Sequence, residues 1–485
     1  MNADEARHCE APATRRRAGL LLPVASLTQP GFGQAARDLI DFLAQAGLSV
    51  WQVLPLGPTH ADGSPYQCLS SFALEPSLLD ERDLADDPGF AAGTPIAERR
   101  RGLGASPALR EAFETFRRNE DEWLGDYCRF IVLRAEQGGC AWFDWPGGLR
   151  DREPAMMQAF ERDHAEKLEA VAFEQFLLDR QWQALRDRAR ARNVCLFGDL
   201  PIFVAGDSAD VWANQSLFDL DEEGQPTVVA GVPPDYFSAT GQRWGNPLFD
   251  FERMAEDDFA WWRARLARHL EIYDWVRIDH FRAFSAYWAI PATAEDATSG
   301  RWVDAPGDAL LEALQRVEDG DLPLVAEDLG VITPEVTALR DRFGLPGMTV
   351  LQFAFDGSAD NPHRPEHHRP HSVVYTGTHD NDTTLGWWWS LDDGYRARIR
   401  RELEASQGID PATPMPDALV ESALASRAAL AVLPISDLLG LGSEARINVP
   451  GTTEGNWLWR LPAGLLDTAV AERTRARLAV HDRLV

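Results

Sequence analysis

Gly19-Leu20-Leu21-Leu22-Pro23-Val24 and Ser49-Val50-Trp51-Gln52-Val53-Leu54 are two short apolar runs. Between them Leu39, Phe42, Leu43 and Ala46 recur at helical spacing, and Gly47 supplies a C-terminal stop. Runs this short, without polar alternation, predict strands buried on both faces. A strand, a helix and a strand within about 35 residues make one βα unit plus the next strand, which calls for parallel pairing.

The same signature recurs on the C-terminal side. Residues 1–18 read as a flexible, polar and basic arm, and residues 19–485 as one domain. Polar, Gly and Pro positions over about 60–190 predict a partly helical insertion, whose last helix carries Leu178, Trp182 and Leu185. Val194–Asp199 is the next buried strand. A second insertion, over about 205–257, is rich in Gly, Pro and aromatics. Phe259, Trp262, Leu266, Leu270 and Tyr273 then form a helical stripe, followed by the strand Trp275–Asp279. Pro323–Glu327 is another strand, after which Thr333 caps a helix with Pro334 at its first position. Met348–Phe353, Val373–Thr376 and Ala429–Leu433 complete eight candidate strands. Eight βα units predict an α/β fold, a closed (β/α)8 TIM barrel with large insertions and no separate C-terminal β domain. A doubly wound sheet would need a Gly-rich nucleotide loop after an early strand, and the sequence has none.

Among 485 residues, 76 acidic side chains outnumber 47 basic ones, for a formal charge of −29. Such a surface repels phosphate backbones and anionic lipid, which argues against nucleic-acid and membrane partners but not against a neutral sugar. The five cysteines, Cys9, Cys68, Cys128, Cys140 and Cys195, are odd in number and form no CxxC pair. That argues against a disulfide framework and against a thiolate metal site. With no secretory signal and no apolar run of about 18 residues, a cytoplasmic location is expected.

Three strand ends carry carboxylates: Asp279 in Arg277-Ile278-Asp279-His280-Phe281-Arg282, Glu327 in Ala326-Glu327-Asp328-Leu329-Gly330, and Asp380 in Thr376-Gly377-Thr378-His379-Asp380-Asn381-Asp382. One such carboxylate is more often a turn residue or helix cap. Three at the C-terminal ends of barrel strands, where active sites form, suggest a reaction. Retaining glycoside cleavage needs an ionised nucleophile and a protonated acid about 5–5.5 Å apart. Neighbouring strands lie about 4.8 Å apart, so consecutive strand ends can supply that gap. Arg277, on the same face as Asp279, would keep it ionised, and Asp328 beside Glu327 would raise the latter's pKa. His280 and His379 have no HxH or HxxxH spacing, so no metal and no cofactor is expected. The histidine-rich segment 363–371 reads as a solvated loop. The loops Ser64-Pro65-Tyr66-Gln67 and Gly231–Pro247 combine aromatics with polar tips and lack a strand or helix period, which suits sugar binding.

At these residues the chain resembles the amylomaltases, glycoside hydrolase family 77 of the α-amylase clan, from about residue 19 to 462. Trp51–Thr59, Ser64–Gln67, Gly198–Val204, residues 228–248 as a lid, Leu439–Arg446 and Gly455-Asn456-Trp457 carry the resemblance. It implies a 4-α-glucanotransferase acting on maltooligosaccharides and α-1,4-glucans. Asp279 then matches the nucleophile, Glu327 the acid/base and Asp380 the transition-state stabiliser. Ser64, Tyr66, Asp199, Gln242, Trp244, Arg277, His280, Asp328, His379 and Asn448 match sugar-contacting positions. Ala283, Leu74-Glu75, Ser436 and Ile447 depart from the family pattern without removing a carboxylate. A hydrolase of the same clan and a non-catalytic glucan-binding protein are the alternatives. A monomer or weak homodimer is expected.

Overall fold

The computed structural model describes residues 9–234, 238–317, 320 and 322–485. Its strands are β1 (Arg17–Leu21), β2 (Val50–Gln52), β3 (Cys195–Pro201), β4 (Val228–Val232), β5 (Gln242–Pro247), β6 (Trp275–Asp279), β7 (Ala286–Pro291), β8 (Arg301–Asp304), β9 (Leu324–Ala326), β10 (Gly347–Val350), β11 (Ser372–Tyr375) and β12 (Leu430–Pro434). Eight of them pair in the order β10-β11-β12-β1-β2-β3-β6-β9, every pair parallel. The remaining gap is bridged where Ala326 donates its N–H to the Pro346 carbonyl at 2.9 Å. The sheet is therefore a nearly closed (β/α)8 barrel, and its strands are the eight apolar runs, with ends shifted by at most three residues.

The strands are apolar on both faces because both are buried. Leu21, Val50, Phe197, Trp275, Val325, Met348, Val373 and Val432 point into the barrel and pack together. Their neighbours Leu20, Trp51, Leu196 and Val276 pack on the other side, in the core shared with the helices. Gly198 in β3 is forced: a Cβ there would lie 2.1 Å from the Tyr273 ring. That close approach seats β3 where it delivers Asp199 towards the barrel mouth.

The first insertion is largely helical and ends in the long helix Ala165–Ala191, which buries Trp182 against Phe32 and Tyr273. The second differs from the expected loop. Its β4 and β5 pair antiparallel and join β7 and β8 in a second sheet, ordered β5-β4-β7-β8. Gln242 and Arg243 are both exposed, so no alternation marked this hairpin in the sequence. Asp235, Tyr236 and Phe237, which follow β4 in the sequence, lie outside the described residues, as do residues 1–8. After β12 the described residues contain no further strand. Among them, no helix is long and apolar enough to cross a membrane.

Three expectations are corrected: the flexible arm, the absence of disulfides and the solvated histidine-rich loop. The arm, from Cys9 onward, is docked at the N-terminal end of the barrel. Cys9 is disulfide-bonded to Cys195 in β3, 186 residues away, a pairing no local spacing could signal. Two of its basic residues are used internally: the Arg17 guanidinium lies 5.2 Å from the Trp275 ring centre, and Arg16 donates to the carbonyls of Ser426, Leu424 and His481. The histidine-rich segment is not simply a solvated loop either. His368 is buried between the Ser426 hydroxyl and the His363 carbonyl, and His363 accepts the Val350 N–H.

Candidate active site

The parallel register of β6 and β9 builds the centre of the site. Arg277 pairs with Val325 and Ile278 with Ala326, so the next positions in line are Asp279 and Glu327. Glu327 donates its N–H to the Ile278 carbonyl at 3.0 Å, which continues the ladder to that point. The two carboxylates therefore emerge from adjacent strand ends, at the strand spacing of about 4.8 Å.

Their surroundings differ. Arg277 is buried; its Nη2 lies 2.8 Å from Oδ1 of Asp279, while its Nη1 donates to both oxygens of Asp199 at 2.8 Å. Oδ2 of Asp279 takes no hydrogen bond among the described residues. Glu327 accepts two backbone amides, from His280 at 2.8 Å and Leu329 at 3.1 Å. Burial raises both carboxyls, and at Asp279 the touching guanidinium opposes it. Burial is also the chief cause at Glu327, which is pushed up to about 8 despite Arg277, with the negative charge of Asp279 adding to the rise. Asp328, the cause expected from sequence, contributes least because its charge is spent elsewhere.

Asp380 approaches from the loop after β11. Asn448 donates to its Oδ1 at 2.6 Å, and His379 Nε2 lies 3.4 Å from the same oxygen. Tyr66 stacks on His379 with ring centres 5.2 Å apart and donates its hydroxyl to Asp199 at 2.7 Å. Ser64 Oγ accepts the Tyr66 N–H at 3.3 Å and fixes that turn. On the opposite wall, Trp244 Nε1 donates to Gln242 Oε1 at 3.0 Å, and its ring meets His280 edge-on at 4.8 Å. His280 is held neutral: burial, then Arg282 and Arg277, lowers it to about 3. Its Nε2 is buried without a protein partner among the described residues.

These groups line one cleft of about 420 Å³. It brings together Ser64, Tyr66, Gln242, Trp244, Arg277, Asp279, His280, Glu327, His379, Asp380 and Asn448. Two sequence candidates stand outside it. Asp199 is fully buried behind Tyr66 and Arg277 and acts on the cleft through them. Asp328 faces away, paired with Arg340 and accepting the Met348 N–H at 2.7 Å. Of the lining residues not singled out beforehand, Trp457 is the largest; its ring lies 6.0 Å from that of Tyr66 and 6.2 Å from that of His379. Its presence in the Gly455-Asn456-Trp457 motif was the available signal.

A (β/α)8 barrel with paired carboxylates at adjacent strand ends, in a cleft lined by carboxyl and aromatic side chains, has the layout of a glycoside-cleaving enzyme. The sequence profile of glycoside hydrolase family 77, described as 4-alpha-glucanotransferase, matches residues 22–101 and 94–466. The 4-alpha-glucanotransferase of Thermus thermophilus is 49% identical, over 97% of this chain and 99% of its own. That of Synechocystis is 42% identical, over 92% and 94%. The amylomaltase of Streptococcus agalactiae, solved with acarbose, superposes with a TM-score of 0.88 at 29% identity, covering 97% of this chain and all of its own. The chain belongs to glycoside hydrolase family 77, the amylomaltase-type 4-α-glucanotransferases.

Proposed function

We propose that this chain exercises its 4-α-glucanotransferase activity by a double displacement in which Asp279 is the nucleophile, Glu327 the acid/base and Asp380 the stabiliser. The observation that carries the assignment is the pairing of a guanidinium-held Asp279 with a buried, amide-held Glu327 at consecutive strand ends. Oδ2 of Asp279 attacks the anomeric carbon of an α-1,4-glucan, while the Glu327 proton passes to the departing 4-oxygen. A β-glucosyl ester forms at Asp279. The 4-hydroxyl of an acceptor then attacks, gives its proton to Glu327, and restores the α configuration. Asp380, steadied by Asn448, favours the oxocarbenium-like state together with His379.

Donors and acceptors in this proposal are maltooligosaccharides and longer α-1,4-glucans such as glycogen or starch, in the cytoplasm, with a monomer or weak homodimer as the working unit. Transfer outruns hydrolysis when the acceptor is held better than water, and the hairpin face of Gln242 and Trp244 supports that discrimination. Incubation with maltotriose tests the reading. A ladder of longer oligosaccharides is expected, and shorter sugars alone would refute transfer.

A further inference from the structure

Asp437 is a buried carboxylate that the chemistry above does not use. It lies in the helix Ile435–Leu439 that leaves β12, and it is 2% exposed. Its Oδ2 accepts the hydroxyls of Thr376 at 2.5 Å and Thr384 at 2.6 Å, and its Oδ1 accepts the Thr384 N–H at 2.8 Å. Both threonines are fully buried.

The positions of those donors matter. Thr376 is the residue immediately after β11, and Thr384 begins the helix Thr384–Ser390. Between them runs the segment 377–383, which carries His379 and Asp380. One carboxylate thus grips both ends of the loop that presents the stabilising groups. Burying it costs several kcal/mol unless its lone pairs are filled, and here three donors fill them. Neutral hydrophobes would close the same space more cheaply, so the carboxylate is explained by what it holds. Further contacts brace the same loop: Gln352 donates to the Asp382 carbonyl at 2.9 Å, and Ser443 to the Asp382 carboxylate at 2.8 Å.

We propose that Asp437 is a positioning residue for transfer, fixing Asp380 and His379 by clamping Thr376 and Thr384. The proposal rests on the reading of Asp380 given above. It touches no sugar itself and acts through Asp380 and His379, so its loss falls chiefly on turnover. A displacement of about 1 Å in such a group costs on the order of 100-fold in rate.

The test is a double-mutant cycle with a maltosyl fluoride donor, whose good leaving group keeps weakened variants measurable, alongside thermal melts. Asp437→Ala is expected to lower kcat about 100-fold with KM within about twofold. In an Asp380→Asn background the same change should cost little more, because the group it positions is already lost. A folded Asp437→Ala with unchanged kcat, an effect confined to KM, or an equal loss in both backgrounds would overturn the proposal. Should Asp437→Ala fail to fold, Thr384→Val decides on the same criteria, since it removes one clamped hydroxyl at nearly constant volume. Full activity in Asp380→Asn alone would instead refute the role given to Asp380, whatever Asp437 does.

Discussion

The backbone N–H of His280 meets Oε2 of Glu327 at 2.8 Å, and His280 adopts a left-handed backbone, φ 55°, in making that contact. A non-glycine residue in that region costs about 1–3 kcal/mol and persists only where its surroundings impose it. The residue after the nucleophile thereby orients the acid/base, so the two carboxyls are placed by one turn of chain. Removing the transferable proton while keeping the shape isolates its contribution. Glu327→Gln is expected to lower transfer from maltotriose by about 10²–10⁴-fold. With a glucosyl fluoride donor, whose leaving group needs no proton, the first step should be largely spared. Burst kinetics of fluoride release would check this, and an equal loss with both donors would contradict the acid role.

Glu327 also sets a pH limit. With its carboxyl at about 8, the acid form persists through neutrality and turnover should fall as pH rises past that value. The stability consequence has a definite sign. The folded group binds its proton more tightly than the unfolded one at 4.5, so its stabilising contribution is full below about 4.5 and is lost as pH rises towards 8. Glu327→Gln cannot ionise. Its melting temperature should therefore gain on the parent between pH 4.5 and 8, and a pH-independent difference in calorimetry would argue against a raised Glu327.

The barrel was legible because each strand is a run of apolar residues bounded by polar turns, and the carboxylates because Asp279 and Glu327 stand at such boundaries and Asp380 in the loop that follows one. What escaped reading lacks a local pattern. The hairpin of β4 and β5 exposes Gln242 and Arg243 in succession, so nothing alternates. The Cys9–Cys195 bridge joins residues 186 apart. Asp328 resembles a cleft residue in sequence because it follows Glu327. Past the end of β9 the chain turns it away from the cleft, where Arg340 and the Met348 N–H claim it. Asp199 shows the converse: it serves the site without facing it, through Arg277 and Tyr66.

Histidines held neutral by burial weaken the fold in acid, and His269 and His280 are the most strongly lowered of them. Burial, with Arg265 next, lowers His269 to about 3; burial also lowers His280 to about 3, with Arg282 and Arg277 adding to it. Unfolded, each titrates near 6.5, so the unfolded chain binds more protons between about 3 and 6.5 and stability rises with pH across that window. His269, whose Nδ1 lies 2.8 Å from the Arg265 carbonyl, lies outside the cleft and suits a test. His269→Gln should reduce the gain in melting temperature between pH 4 and 7. An unchanged pH slope would mean that His269 is not held neutral.

Trp244 packs its edge on His280 and is tied to Gln242, so it closes one wall beside the reacting carboxyls. An indole there excludes water and offers an apolar face to an acceptor ring. Trp244→Ala should therefore shift the partition from the oligosaccharide ladder towards glucose and maltose released to water. Comparing reducing-end increase with transfer product over one time course reads that ratio directly. A lowered rate at constant ratio would assign Trp244 to donor binding instead.

At the opposite end of the barrel, Arg483 is fully buried and bonded wholly to backbone carbonyls. Its Nε donates to Leu424, Nη1 to Arg17 and Ala429, and Nη2 to Ser426, Ala428 and Ala423, at 2.7–3.4 Å. Arg17 begins β1 and Ala429 immediately precedes β12, so this one guanidinium fastens the C-terminus to the floor where first and last strands meet. Burial lowers its pKa to about 9, which still leaves it charged at neutrality. Arg483→Met would fill most of the volume but strand several buried carbonyls. A loss of about 3–5 kcal/mol is expected, seen as a lower melting temperature in calorimetry. Because the cleft lies at the other end of the strands, kcat per folded molecule should stay at the parent value. A fall in kcat without a fall in stability would mean that the floor and the mouth of this barrel are coupled.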